Sequence, residues 1–273
     1  MDFLAAGSVM GINGQVVVVP GGGGRQNGIG RATALLFAKL GANVAILDIN
    51  EEAAAETAGL IKEATGTTAS VWQVDVTKEE QIAQVVEAVL ARYQQINVWA
   101  QIVGGHQGAT LIEEIPPAIW RANLELNLTA AFLCTRAVLP VMKRQRQGKI
   151  VLASSMAARI VSTPSADYAA AKMGIVSFTR QLAFEAGPFN INANAISPGP
   201  THEPDPERDA QDGRIKRVPL RRLATPEDQA KAITFLASRW ADMITGITLD
   251  VDGGQYLGWM DYDTYLAKHR QPA

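Results

Sequence analysis

The stretch VVVVPGGGGRQNGIGRA, residues 16–32, decides how the rest of the chain is read. Four consecutive valines form a β-branched run without polar alternation, which marks a strand buried on both faces, as in a parallel sheet. A proline, four glycines and three polar residues follow, and Gly28-Ile29-Gly30 opens an amphipathic run reaching Leu40. Glycine lacks a Cβ, so backbone here can turn tightly and approach another group closely. Alone, such a cluster describes a floppy loop as well as a binding turn. The surrounding pattern separates the two.

Strand-like and helix-like stretches alternate along the chain. The first helix ends at Gly41, a residue type that commonly follows a last helical turn. Strands are expected at NVAILD (43–48), ASVWQVDV (69–76), INVWAQIVGG (96–105), GKIVLASS (148–155), INANAISPG (191–199) and GITLDVDGG (246–254). Helices are expected at 51–64, 78–94, 117–145, 166–187 and 226–238. Such alternation with short connections predicts a doubly wound α/β fold. It would be a parallel sheet of about seven strands with helices on both faces, in a single domain spanning 1–273. Residues 1–11 form an N-terminal extension, 200–217 a polar segment and 256–273 a tail.

Composition narrows the function classes. The chain has 273 residues, 47% hydrophobic and 19% charged, with a net charge of −2, which suits one globular domain and excludes a basic nucleic-acid-binding face. Cys134 is the only cysteine, so an intrachain disulfide is impossible, and its apolar surroundings AAFLCTRAVL mark a buried small hydrophobe. Three scattered histidines suggest no metal site. No uninterrupted apolar run approaches the roughly 18–20 residues of a membrane span, and MDFLAAGSVMG lacks the basic start of a signal peptide. The expected setting is the cytoplasm.

Between a first strand and a first helix, a glycine loop occupies the place where a dinucleotide's pyrophosphate meets a helix N-terminus. Asp48 closes the second strand, 18 residues beyond Gly30. A carboxylate there accepts hydrogen bonds from ribose hydroxyls and repels a 2′-phosphate, and Ile49 adds no cation beside it. NAD(H) is therefore expected over NADP(H). Arg25, within the loop, is the residue that would reverse this preference.

Tyr168 and Lys172 in SADYAAAKMG stand four apart on one helix face. A tyrosine near its ordinary pKa of about 10 is a poor base, and a neighbouring ammonium favours the phenolate. Ser155 lies thirteen residues earlier, at the carboxyl end of the fifth strand, where a hydroxyl can hold a substrate oxygen beside the phenol.

These residues, in this order, resemble a classical short-chain dehydrogenase/reductase, from about residue 12 to residue 255. The resemblance implies a Rossmann-type fold. It makes Ser155, Tyr168 and Lys172 the catalytic set, with Asn127 in LELNLTAAF as the fourth member, positioning a water for proton relay. It places Gly21 or Gly24, Asn27, Gly28, Ile29 and Gly30 at the pyrophosphate, and Asp48 at the ribose. Asp75 and Val76 line the adenine; Val103 and Gly104 stand behind the cofactor; Pro198, Gly199 and Thr201 hold the nicotinamide. The implied reaction is reversible hydride transfer between the nicotinamide of NAD(H) and a secondary alcohol or ketone.

Two departures from the family pattern stand out. The glycine loop is about three residues longer than usual, so Gly21 and Gly24 both remain candidates for the first functional glycine. The usual Asn-Asn-Ala-Gly after the fourth strand is Gln101-Ile102-Val103-Gly104, and Ile102 cannot make an amide's hydrogen bonds, so that loop must be held another way.

Candidate substrate walls are His106, Gln107, Met156, Arg159 and His202, with 200–217 as a lid. Tyr256, Trp259, Tyr262 and Tyr265 in the tail suggest docking on another subunit or roofing a pocket. The family's usual assembly implies a homotetramer with the helices at 117–145 and 166–187 packed across subunits. Competing readings are an NADP(H)-dependent carbonyl reductase, a nucleotide-binding regulator without turnover, and sugar-nucleotide chemistry, which usually needs a larger C-terminal domain. An enoyl reductase would usually space its tyrosine and lysine further apart.

Overall fold

The computed structural model describes residues 2–24, 28–106, 110–161, 163–258 and 260–269. The elements run α1 (Phe3–Met10), β1 (Val16–Pro20), α2 (Ile29–Lys39), β2 (Asn43–Asp48), α3 (Glu51–Thr65), β3 (Ser70–Gln73), α4 (Glu79–Tyr93) and β4 (Val98–Gln101). They continue with α5 (Pro117–Leu124), α6 (Ala130–Gln145), β5 (Gly148–Ala153), α7 (Ala166–Ala186), β6 (Ile191–Pro198), α8 (Pro206–Gln211), α9 (Pro226–Ala237), β7 (Thr248–Val251) and α10 (Tyr262–His269).

The described strands form one parallel sheet in the order β3-β2-β1-β4-β5-β6-β7, as the alternation predicts. All five residues of β1 are buried, which explains its unbroken valines. Each sheet face carries its own core. Phe37, Ile46, Ile61 and Ile233 pack on the side of α2, α3 and α9; Val89, Trp99, Met142 and Ile175 pack on the side of α4, α6 and α7. The strand order reverses between β1 and β4, where Val17 pairs with both Val44 and Val98. Loops leaving these two strands must part to opposite faces, and the crevice between them receives ligands in such sheets.

Three features differ from the sequence expectation. The N-terminal extension is helical: Asp2 accepts from the N–H groups of Leu4 and Ala5, and Gly11 closes α1 at φ 71°. Strands β3, β4 and β7 are shorter than 69–76, 96–105 and 246–254, and past the end of β3 the N–H of Val74 still donates to the carbonyl of Asp48 at 2.9 Å. The helical stretch over 117–145 is broken by a π turn at Glu125–Thr129 between α5 and α6. By length and composition that stretch could cross a bilayer, yet α6 buries Ala130, Cys134, Val138 and Met142 against the sheet.

Candidate active site

The glycine loop is shaped by what a side chain would strike. A Cβ on Gly30 would lie 1.9 Å from the carbonyl oxygen of Gly21, so helix and loop touch through bare backbone. Gly21 and Gly24 both adopt positive φ, 83° and 67°, and both line a cavity of about 250 Å³ beyond the strand ends. Gly28 caps α2 at φ 71° and offers its first turn no side-chain hydrogen bond. Asn27 and Arg25 lie outside the described residues.

Asp48 stands on the wall of the same cavity. Its Oδ2 accepts from the N–H of Gly23 at 2.9 Å and its Oδ1 from that of Asn50 at 3.0 Å. The carboxylate is thus fixed in place with lone pairs remaining. Asp75, Val76, Val103 and Gly104 complete this wall, with Ile102 and Leu126 as additions that the motifs did not announce. The bare-backbone cradle, the uncapped helix start and the oriented carboxylate fit a dinucleotide.

A second cavity of about 150 Å³ opens at Gly104 and Ile102, the residues it shares with the first. Its walls include Ser155, Tyr168, Lys172, Pro198, Gly199 and Ile29. Tyr168 and Ser155 share this wall, and the Ser155 hydroxyl also accepts from the N–H of Ala157 at 3.2 Å. Burial pushes the Tyr168 phenol above its ordinary value, and the Ser155 hydroxyl opposes that rise. Lys172 is 2% exposed, and burial alone brings its ammonium down to about 8. Its Nζ donates to the carbonyl of Ala153 at 2.8 Å and lies 5.5 Å from the centre of the Tyr168 ring. The expected acidification of the phenol by the ammonium is therefore not present in this arrangement. The lysine is turned to a backbone carbonyl, and desolvation outweighs its charge. Ser154, which the motif reading passed over, fixes the lysine's backbone by donating to the carbonyl of Lys172 at 2.8 Å.

The π turn presents Asn127 to the loop after β4. Its Nδ2 donates to the carbonyls of Gly105 (2.9 Å) and Asn123 (3.0 Å), and its Oδ1 accepts from the N–H of Gly105 at 3.0 Å. This two-way grip supplies what Ile102 cannot. The side chain thereby serves as a clamp on that loop. Single π turns inside α-helices often mark functional sites.

His106 reaches the second cavity, with its ring centre 5.5 Å from that of Tyr168. The other substrate candidates are held elsewhere. Met156 is buried in a 3-10 turn. Arg159 grips both oxygens of Asp250 at 3.0 and 2.8 Å and lies over Tyr256. His202 is tied within its own segment to Arg208, with Asp209 at 3.3 Å. Gln107 and Trp259 lie outside the described residues. Thr201 bonds to Gly199 (2.9 Å) and receives Gln229 (3.1 Å), which steadies the turn after β6. The polar segment folds as α8 and a 3-10 turn, each started by an aspartate cap, Asp205 and Asp212. In the tail, α10 is tied to the same chain by Arg221 and Asp263 at 2.6 Å.

Comparison with known proteins gives a consistent picture. A family model described as enoyl-(acyl carrier protein) reductase, of the short-chain alcohol dehydrogenase type, matches residues 22–255. A 3-oxoacyl-[acyl-carrier-protein] reductase of Thermotoga maritima is 36% identical over 251 residues, covering 90% of this chain and 99% of its own. An NAD-dependent glycerol dehydrogenase of Listeria innocua is 35% identical, covering 93% and 98%. The solved structure of an NAD⁺-bound xylitol dehydrogenase superimposes with a TM-score of 0.82 at 30% identity, covering 89% and 99%.

Proposed function

Because the chain belongs to the short-chain dehydrogenase/reductase family and is an NAD(P)-dependent oxidoreductase, we propose that it interconverts a secondary alcohol and a ketone with NAD(H). One observation carries the reading: Ser155, Tyr168 and Lys172 line one cavity, which shares Ile102 and Gly104 with the glycine-lined one that Asp48 borders. When bound, the nicotinamide supplies the hydride acceptor or donor; the chain's residues supply geometry and proton transfer.

In the oxidative direction Tyr168 takes the substrate hydroxyl proton, and in the reductive direction it returns one. Ser155 holds the substrate oxygen as its charge changes. Lys172, in the same cavity, binds the nicotinamide ribose. Asp48 supports NAD(H): its two oxygens are already oriented by backbone N–H groups, and a 2′-phosphate beside it would meet a fixed negative charge. The names of the glycerol and xylitol dehydrogenases support the same cofactor and an alcohol substrate. The four-residue spacing of Tyr168 and Lys172 argues against enoyl reduction, whereas ketone reduction on an acyl thioester remains the second reading, favoured by the Thermotoga maritima relative. We further propose a homotetramer built on the outer faces of α6 and α7, in a cytoplasmic setting.

The test is a panel of secondary alcohols, ketones and a 3-oxoacyl thioester, run with both nicotinamide cofactors and followed by reduced-nicotinamide absorbance. Turnover is expected with NAD(H) and to fall at least 100-fold in Tyr168→Phe. Better use of NADP(H) overturns the cofactor assignment; turnover surviving in Tyr168→Phe overturns the chemistry.

A further inference from the structure

We infer that His106 and Asp167 form a second substrate-recognition pair, which selects a neutral hydroxyl or carbonyl oxygen on the carbon next to the reacting one. This rests on the alcohol–ketone reading above.

Asp167 immediately precedes the proposed acid–base tyrosine and is 3% exposed. Both of its oxygens are held: Oδ2 accepts from Nδ2 of Asn123 at 2.5 Å, and Oδ1 accepts from the N–H of Tyr168 at 2.8 Å. The carboxylate therefore cannot swing away. Oδ1 also lies 3.9 Å from Nε2 of His106, a ring that shares the catalytic cavity with Tyr168. At 3.9 Å the carboxylate acts on the imidazole through its charge and not through a hydrogen bond. With Nε2 turned toward Asp167, Nδ1 is the nitrogen left for a ligand, and among the described residues it has no hydrogen-bond partner.

Charge decides what that ligand is. The Asp167 carboxyl behind the ring opposes an anion at His106, whereas the imidazole can exchange a hydrogen bond with a neutral oxygen. A substrate carboxylate placed there would also face Asp167. The guanidinium in the turn after Ser155, Arg159, is drawn to Asp250, both of whose oxygens accept from its Nη1. A neutral oxygen is what the pair can bind without cost. The substrate class is thus a vicinal diol or hydroxyketone: one oxygen sits on Ser155 and Tyr168 and its neighbour on His106. Asp167 is a positioning residue, since it touches His106 and not the substrate.

The experiment compares kcat/KM for the best monofunctional alcohol of the panel with that for its 1,2-diol counterpart. Wild type, His106→Phe and Asp167→Asn are measured, with NAD⁺ affinity read separately to confirm a folded cofactor site. A site built to hydrogen-bond a hydroxyl rejects analogues that lack it, so wild type should prefer the diol at least tenfold. His106→Phe, which keeps the ring and removes both nitrogens, should lower that ratio at least tenfold. The loss should fall chiefly on the KM for the diol. Asp167→Asn should lower it in the same direction by less. A wild type without diol preference, or a preference that survives His106→Phe, overturns the inference alone. A wild type that turns over nothing in the panel overturns the functional reading beneath it.

Discussion

Lys172 shows how a single residue can cost stability where it supplies chemistry. Its ammonium is buried against Ala153 and Tyr168, and burial brings it from the ordinary 10.5 to about 8. The sign follows from proton counting. Below about pH 8 folded and unfolded chains both bind the proton, so the fold carries the full cost of a desolvated cation. Between 8 and 10.5 the unfolded chain binds more protons, so this group's contribution to stability improves as pH rises. Lys172→Met should therefore abolish turnover and raise the melting temperature at pH 6 by a few degrees, the cost removed being ~3 kcal/mol at most. Thermal unfolding at pH 6 and pH 10 checks this: the gap between variant and wild type narrows at the higher pH. An equal or lower melting temperature at pH 6 contradicts it.

The loop after β4 and the π turn between α5 and α6 work as one element through Gly104 and Asn127. Gly104 has φ 154°, and a Cβ there would stand 2.6 Å from Nζ of Lys172 and 2.8 Å from Oδ1 of Asn127. Gly104→Ala should push the lysine from its seat and lower kcat at least tenfold, with backbone strain costing roughly 1–3 kcal/mol of stability. Steady-state kinetics beside thermal unfolding would show both effects; unchanged kcat would refute the coupling. Strands, their direction and the motif residues were legible because burial on both faces leaves a run such as Val16–Val19, and because Tyr168 and Lys172 stand at helical spacing. The cap signals of α1, Asp2 and Gly11, were also local and open to reading. The π turn was not, since ELNLT differs in nothing local from an α-helical stretch. Nor was the upward pull on Tyr168, because desolvation depends on how distant strands close around a side chain.

For the molecule as a whole, the outer face of α6 and α7 carries exposed aromatic rings among polar side chains. Phe184 is 82% exposed and Phe132 46%, while Phe132 meets Phe178 edge-on, ring centres 6.5 Å apart, beside a groove of about 300 Å³. A lone apolar side chain on a surface is ordinary; the proposed tetramer would cover these exposed rings on two helices. Phe132→Glu combined with Phe184→Glu should lower the particle mass in light scattering below that of a tetramer, leaving circular dichroism unchanged. A mass that stays at the wild-type value would refute assembly through this face. The same face was expected from the family's usual assembly, whereas the retention of Arg159 by Asp250 and of α10 by Arg221 depended on contacts far apart in sequence.

A π turn contains one residue more than an α turn, and this makes chain length at 125–129 a functional variable. Losing one residue there would let α5 and α6 fuse into an uninterrupted cylinder, with every upstream position rotated by roughly 100° about its axis. The interior facing the sheet is set by α6 and would scarcely notice. Asn123 would swing off Asp167, and Gly105 would lose its grip from below. A one-codon deletion could thus yield a well-folded nucleotide binder whose reaction chamber has come apart.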